Sequence, residues 1–279
     1  AGSFIHAFPF IQQDWDWSNY RIMGVLQRIA LAYGIAAIMV IHLDLKKIFI
    51  SSIGILLAYW GILWLGGGNA PYSLESNFIR KIDILLLGES HLYGGTGIQF
   101  DPEGLLSTIP SVVTVLMGYL VGSMLHTTKD FLDNVKRMST FGIVSIIIGL
   151  IWGIIFPINK QLWTSSYVLL TGGIATLFLS LLCYMIDIKK WKKPLWVFQI
   201  FGTNSILLFV LSGLWTKIIL KIKFTLEGES ISGYGYLYKT LFVPFAGDMF
   251  GSLLFAFAHL LGFWLILLWL YRKKIFINL

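Results

Sequence analysis

The stretch IMGVLQRIALAYGIAAIMVIHL, residues 22–43, decides the fold. Only Gln27, Arg28 and His42 interrupt 22 residues of apolar and small side chains. About 20 such residues, rising about 1.5 Å each as a helix, cross a hydrocarbon core of about 30 Å. Six further blocks of comparable character follow, at Ile48–Leu65, Leu105–Leu125, Phe141–Pro157, Ser165–Ile186, Leu195–Leu220 and Met249–Tyr271. A segment in hydrocarbon must satisfy its own backbone hydrogen bonds, so each block reads as a helix. The reading is all-α, a polytopic membrane helix bundle of about seven transmembrane helices, with the lipid bilayer as its surroundings.

Composition agrees. Of the 279 residues 57% are hydrophobic, 13% charged and 16% aromatic, with a mean hydropathy of +0.77. A soluble domain is about 45–50% apolar and about 25% charged, so this chain lacks the polar surface to coat one. The same figures exclude disorder and collagen-like or disulfide-rich scaffolds. The formal charge of +7 would suggest nucleic acid in a soluble protein. Here it is better explained by the basic loops of a membrane protein, so no nucleic-acid partner is expected.

Those loops set the expected orientation. Lys46 and Lys47; Lys129, Lys136 and Arg137; Lys189, Lys190, Lys192 and Lys193; and Arg272, Lys273 and Lys274 fall in alternate loops and at the C-terminal end. They are twelve of the 21 basic residues. The positive-inside rule makes these segments, and the C-terminus, cytoplasmic. The start of the chain, residues 67–104, 157–164 and 221–248 then face outward. Lys217, Lys221 and Lys223 fit less well, because they sit at an outward end. Trp15, Trp17, Trp60, Trp64, Trp163, Trp191, Trp196 and Trp269 lie near span ends and read as an interfacial belt. Cys183 stands alone, so no internal disulfide is possible, and no N-x-[ST] sequon occurs. The opening AGSFIHAFPF has neither the basic nor the apolar region of a signal peptide and reads as the tail of a helix.

Several groups could carry chemistry. An ionisable side chain within a span costs about 2.5–3.5 kcal/mol on insertion scales, so Arg28 must meet a carboxylate, a helix end, water or an anionic ligand. It either holds a polar substrate or pairs with a buried acid. His259, in the last span, reads as an interhelical hydrogen-bonding group. The outward loop 67–104 gathers Asp83, Glu89, His91, Asp101 and Glu103 beside Arg80 and Lys81. His91 could act as a general base if a carboxylate orients it. In FDPEGLL, Asp101 fits an N-cap, Pro102 a first helical position and Glu103 the positive end of a helix. No metal site is expected, since HExxH and CxxC spacings are absent, and Gly95-Thr96-Gly97 lacks the third glycine of a dinucleotide loop. Asn159, Lys160, Trp163, Thr164, Ser166 and Tyr167 sit at the mouth of the fifth block, as sugar-recognising groups or as an anchor and cap. Gly202-Thr203-Asn204-Ser205 interrupts the sixth as a packing face or a backbone opening for a ligand.

Taken together, GVLQRIALAY (24–33), IDILLLGESHLYGGTGIQFDPEGLLSTIPS (82–111), NKQLWTSSYVL (159–169), GTNSIL (202–207) and YRKKIF (271–276) resemble the heparan-α-glucosaminide N-acetyltransferase family, its bacterial members most of all. The five occur in the family's order and reach from the first span to the C-terminus. The resemblance implies a single transmembrane acyltransferase domain over residues 1–279, incomplete at its N-terminus, in a bacterial inner membrane. It implies transfer of an acetyl group from cytoplasmic acetyl-CoA to an amino sugar of a glycan on the opposite face. In the lysosomal member that acceptor is the terminal glucosamine of heparan sulfate. It also implies a homodimer and no metal. Carried over residue by residue, it assigns His91, Asp101 and Asn159 to the reacting centre, and Gln27, Arg28 and Asn204 to acetyl-CoA. Glu103, Lys160, Trp163 and Tyr167 go to the sugar. The family's His-Ala-x-Trp context is not present. His6-Ala7-Phe8-Pro9 matches a later point of the pattern, so no role is carried onto His6. The competing readings are a multi-pass transporter or flippase, which would move substrate without releasing CoA, and a truncated, inactive relative.

Overall fold

The computed structural model describes residues 17–125, 127–191, 193–226 and 228–277. The readings placed on His6, Trp15 and the opening helix tail lie outside them. The chain forms two compact units that divide between Lys190 and Trp191.

The first unit is built from α1 (Val25–His42), α2 (Leu45–Gly66), α3 (Phe78–Leu87), α4 (Leu105–Met124), α5 (Phe131–Trp152) and α6 (Ser165–Cys183). A π turn, Tyr184–Ile188, extends α6. Helix α4 is the inner post: ten of its 20 residues are buried, including Val112, Val113, Leu116 and Leu120. Ala32 and Ala36 of α1 and Ile48 of α2 pack against it. Pro110 removes one backbone donor inside α4. Just upstream, the Ser107 and Thr108 hydroxyls donate to the Gly104 carbonyl at 3.1 and 2.8 Å. Helices α5 and α6 approach backbone to backbone. A Cβ on Gly142 would lie 3.0 Å from the Gly173 carbonyl, and one on Gly149 would lie 2.7 Å from the Leu170 nitrogen. Small residues permit this close packing where lipid supplies no hydrophobic drive.

The second unit holds α7 (Trp196–Thr203), α8 (Ser205–Lys221), an antiparallel pair β1 (Lys223–Leu226) and β2 (Glu229–Ser232), α9 (Gly233–Leu237) and α10 (Val243–Arg272). Ile200, Leu267 and Leu270 form its core, and Trp264 donates from Nε1 to the Val197 carbonyl at 3.3 Å.

Among the described residues six helices are long and apolar enough to cross a membrane, and seven if α7 and α8 count as one bent span. The fold is an all-α polytopic membrane bundle, and the chain is a multi-pass integral membrane protein. The boundaries correct the sequence reading at several points. The fourth block, expected at Phe141–Pro157, begins ten residues earlier and stops at Trp152. Asp130 caps it by accepting from the Leu132 amide, and Arg137 pairs with Asp133 one turn away, so Lys136 and Arg137 lie in the helix rather than a loop. The sixth block is broken by 75° at Asn204. The seventh starts at Val243 and kinks at Gly247, whose φ of 69° is open to glycine. The segments expected from sequence to face outward contain the amphipathic α3 and the short β pair. Trp60 and Trp163 turn inward instead of joining an interfacial belt. Trp60 packs edge-on to Trp152 and donates to the Tyr72 hydroxyl.

Candidate functional site

The site lies in the first unit, where the ends of α1, α4 and α6 meet the loops before α4 and α6. Arg28 enters from the first turn of α1 and is buried. Its guanidinium carbon stands 3.9 Å from the centre of the Trp163 ring. Nη1 donates to the Pro102 carbonyl at 3.0 Å, and Nη2 lies 3.9 Å from Glu103 Oε1. So a cation inside a span is neutralised by a carboxylate, a carbonyl dipole and an aromatic face together. Beside it, both amide atoms of Gln27 are buried and have no hydrogen-bond partner among the described residues. A buried amide left unpaired costs about 1–3 kcal/mol, which a ligand can recover.

The acidic wall is the turn Asp101–Gly104. Asp101 is fully buried, accepts from the Glu103 amide, and takes two bonds from Arg21, at 2.9 Å from Nε and 2.7 Å from Nη2. The same Nη2 reaches Glu103 Oε2 at 2.8 Å. Glu103 thus stands between Arg21 and Arg28. The expected N-cap role of Asp101 is not found: Gly104 occupies that position. The cap is supplied from 22 residues upstream by Asp83, whose Oδ1 accepts from the Leu105 and Leu106 amides at 3.1 and 3.3 Å. Asp83 Oδ2 is buried with no partner among the described residues. Burial lifts its pKa to about 6 against the pull of those two amides, with the nearby Asp101 charge adding to the rise. Gly104 is required here, because a Cβ would collide with the Asp83 carboxylate.

The aromatic wall is the loop Asn159–Thr164. Asn159 Oδ1 accepts from the Gln161 and Leu162 amides, and Thr164 Oγ1 accepts from the Asn159 amide at 3.0 Å. Asn159 therefore shapes the turn rather than pointing its amide at a ligand. Lys160 is exposed, and its carbonyl accepts from the Trp163 amide. Trp163 adopts φ 51°, an unfavourable left-handed conformation for a large side chain, and its Nε1 donates to Thr114 Oγ1 at 3.2 Å. Such strain costs about 1–3 kcal/mol and persists where surroundings impose it, commonly at ligand sites. Tyr167 meets the Trp163 ring edge at 5.1 Å, and Tyr59 donates to the Leu162 carbonyl at 2.5 Å.

His91 is half-buried. Its Nδ1 lies 2.7 Å from the Tyr20 carbonyl, not on a carboxylate as expected. A carbonyl only accepts, so Nδ1 carries the hydrogen and Nε2 of the neutral ring remains a proton acceptor. Asn204 lies in the other unit. Its Nδ2 donates to the Ile275 carbonyl at 3.1 Å and its Oδ1 accepts from the Ile277 amide at 2.8 Å, so it fastens the segment after α10. Among the described residues His259 makes no interhelical hydrogen bond: its Nδ1 bonds the Phe255 carbonyl one turn back at 2.9 Å, and its ring packs against Trp215 and Tyr234 of other helices. Among the described residues no group of three His, Cys, Asp or Glu is arranged to hold a metal ion.

The structure thus gathers Gln27, Arg28, Asp101, Glu103, Trp163 and Tyr167. The sequence reading gave no role to Arg21, Tyr59 or Asp83. Arg21 could have been suspected from a second arginine one turn short of the span.

These residues form a buried polar cluster at one end of the helices of a membrane bundle. Two curated relatives match, heparan-alpha-glucosaminide N-acetyltransferase of Homo sapiens and that of Mus musculus, each 29% identical and covering 70% of this chain. No family model matches. The chain spans 37–38% of the length of those relatives. The chain is thus similar, at moderate distance, to heparan-alpha-glucosaminide N-acetyltransferases.

Proposed function

We propose that this chain is the membrane part of an acyltransferase that passes an acetyl group from acetyl-CoA to the amine of an amino sugar. The observation that carries the reading is the Arg28–Trp163–Glu103 cluster, with the buried Gln27 amide, unpartnered among the described residues, beside it. The named relatives make acetyl transfer the chemistry to test.

Attack of a neutral amine on a thioester carbon makes an amide and expels a thiolate, so the site must remove one proton and stabilise one oxyanion. In this proposal the Gln27 amide and the Arg28 guanidinium face the acetyl carbonyl, as donors fixed before the reaction. His91 Nε2 accepts the ammonium proton. Asp101 is held by two bonds from Arg21 and positions the turn that presents Glu103, which receives the cationic amine. One face of Trp163 is covered by Arg28, so sugar contact falls to Tyr167 and to the exposed Lys160. Asn159 and Asn204 act by shaping the site loop and the segment after α10. The lysine-rich loops face the cytoplasm and CoA, and the site opens on the opposite side. A homodimer in a bacterial inner membrane completes the proposal.

The test uses protein from the complete reading frame, purified in detergent. CoA release from acetyl-CoA is measured with and without glucosamine. Release that depends on glucosamine supports the reading. Absence of both CoA release with any amino sugar and acetyl-CoA binding would refute it and leave a transporter or an inactive relative.

A further inference from the structure

Helix α3 sits in the segment read from sequence as an aqueous loop, yet its surface is not that of one. It has ten residues, about 15 Å of helix, too short to cross a bilayer. One face is buried, through Ile79 and Asp83, a turn apart. The arc beside that face, from Leu85 round to Leu86, is exposed, at 77% and 62%. Lys81 Nζ donates to the Gly66 carbonyl at 3.2 Å, which fixes α3 at the level where the span α2 ends. The last turn of α2 carries Trp64 and Leu65, 62% and 76% exposed. These four large apolar side chains therefore lie at the height where hydrocarbon gives way to headgroups, around the end of a span whose own flank faces lipid. Lys81, one turn before Leu85, borders this apolar arc with its charged end on the Gly66 carbonyl, and Arg80 is turned away from the arc to the Gln99 carbonyl and Glu89.

The geometry points to α3 as an interfacial helix, with Leu85 and Leu86 inserted into the leaflet on the side of the Arg28 site. The occupant of this face is phospholipid, because the patch continues the lipid-facing end of α2. The inference does not depend on the acyl-transfer reading. Asp83, on the buried face of α3, holds the start of α4, so the membrane surface and the Asp101–Gly104 turn are joined through one helix.

The experiment places a nitrobenzoxadiazole label at Leu85→Cys and, separately, at Leu86→Cys, each in a Cys183→Ser background. The labelled proteins are reconstituted in phosphatidylcholine nanodiscs with and without lipid carrying a doxyl group near the headgroup. Ile38→Cys, on the exposed flank of α1, is the lipid-facing reference, and Glu75→Cys, in the loop before α3, the reference for the loop. Interfacial helices insert about 5–10 Å, within reach of such a doxyl group, so quenching at both leucines should exceed that at Glu75→Cys about threefold. Iodide in the buffer should leave both leucine labels bright. Iodide quenching at both positions, with doxyl lipid ineffective, would overturn the inference. Protection from both quenchers would also overturn it, by making the face a contact with another protein or a second copy of this chain.

Discussion

Replacing Asp83 by Asn tests the acid that ties α3 to α4. Asp83 is raised from 3.8 to about 6, chiefly by burial. Its folded form therefore holds a proton more tightly than its unfolded form. The stabilisation linked to this proton is complete below the unfolded value, and is lost as pH rises through about 6. A shift of about two units corresponds to about 3 kcal/mol across that full window, and to about 1 kcal/mol between pH 8 and pH 5. Asparagine keeps an oxygen for the Leu105 and Leu106 amides but carries no charge to desolvate. The assay is apparent Tm of nanodisc-reconstituted protein across that pH range. The unmodified protein should gain stability on acidification relative to Asp83→Asn, with the two curves converging at low pH and Asp83→Asn the more stable at pH 8. Parallel curves would refute the reasoning, because the titrating proton would then belong elsewhere. Asp83→Ala separates the charge from the cap: with two helix amides orphaned it should lose about 1–3 kcal/mol at any pH.

Three further outcomes follow from the geometry. Arg28→Lys keeps the charge but loses the planar stack on Trp163 and the fixed bond to the Pro102 carbonyl, so acceptor-dependent CoA release should fall about tenfold or more. Asn204→Ala removes two bonds to the segment after α10, and should speed tryptic cleavage at Lys273 and Lys274 while costing about 1–3 kcal/mol. Lys190, at φ 58° just past the π turn and exposed, stands where helices commonly end in glycine, so Lys190→Gly should raise apparent Tm by the equivalent of about 1 kcal/mol.

Hydropathy located the spans because length and apolarity are what a bilayer demands. It missed the first ten residues of α5, where Asp133, Asn134, Lys136 and Arg137 dilute the signal while the backbone ladder continues unbroken. It counted Leu195–Leu220 as one span, and although Gly202-Thr203-Asn204-Ser205 was read as an interruption there, composition carries no sign of the 75° bend that the backbone makes at Asn204. At the site, Arg28 was legible as a buried charge that needs partners, and Asp101 and Glu103 were read as the cap and first-turn acid of a helix or as groups of the reacting centre and sugar site. Their partners were not legible. The cap on α4 comes from Asp83, 22 positions away, and local spacing made Asp101 the natural candidate instead. Nor does local sequence report that Arg28, from α1, lies on Trp163, from the loop before α6.

The glycine contact between α5 and α6 sets what can happen at that distance. The loop that carries Trp163 hangs between these two helices, and its ends are spaced by Gly142 against Gly173 and by Gly149 against Leu170. A methyl group at Gly149, far from the arginine in sequence and touching none of the site's polar atoms, would wedge the pair apart and carry the indole away from its cation. Genetic variation at such a glycine would then mimic a lesion in the pocket itself, and a screen for loss of activity would recover it alongside changes to Arg28.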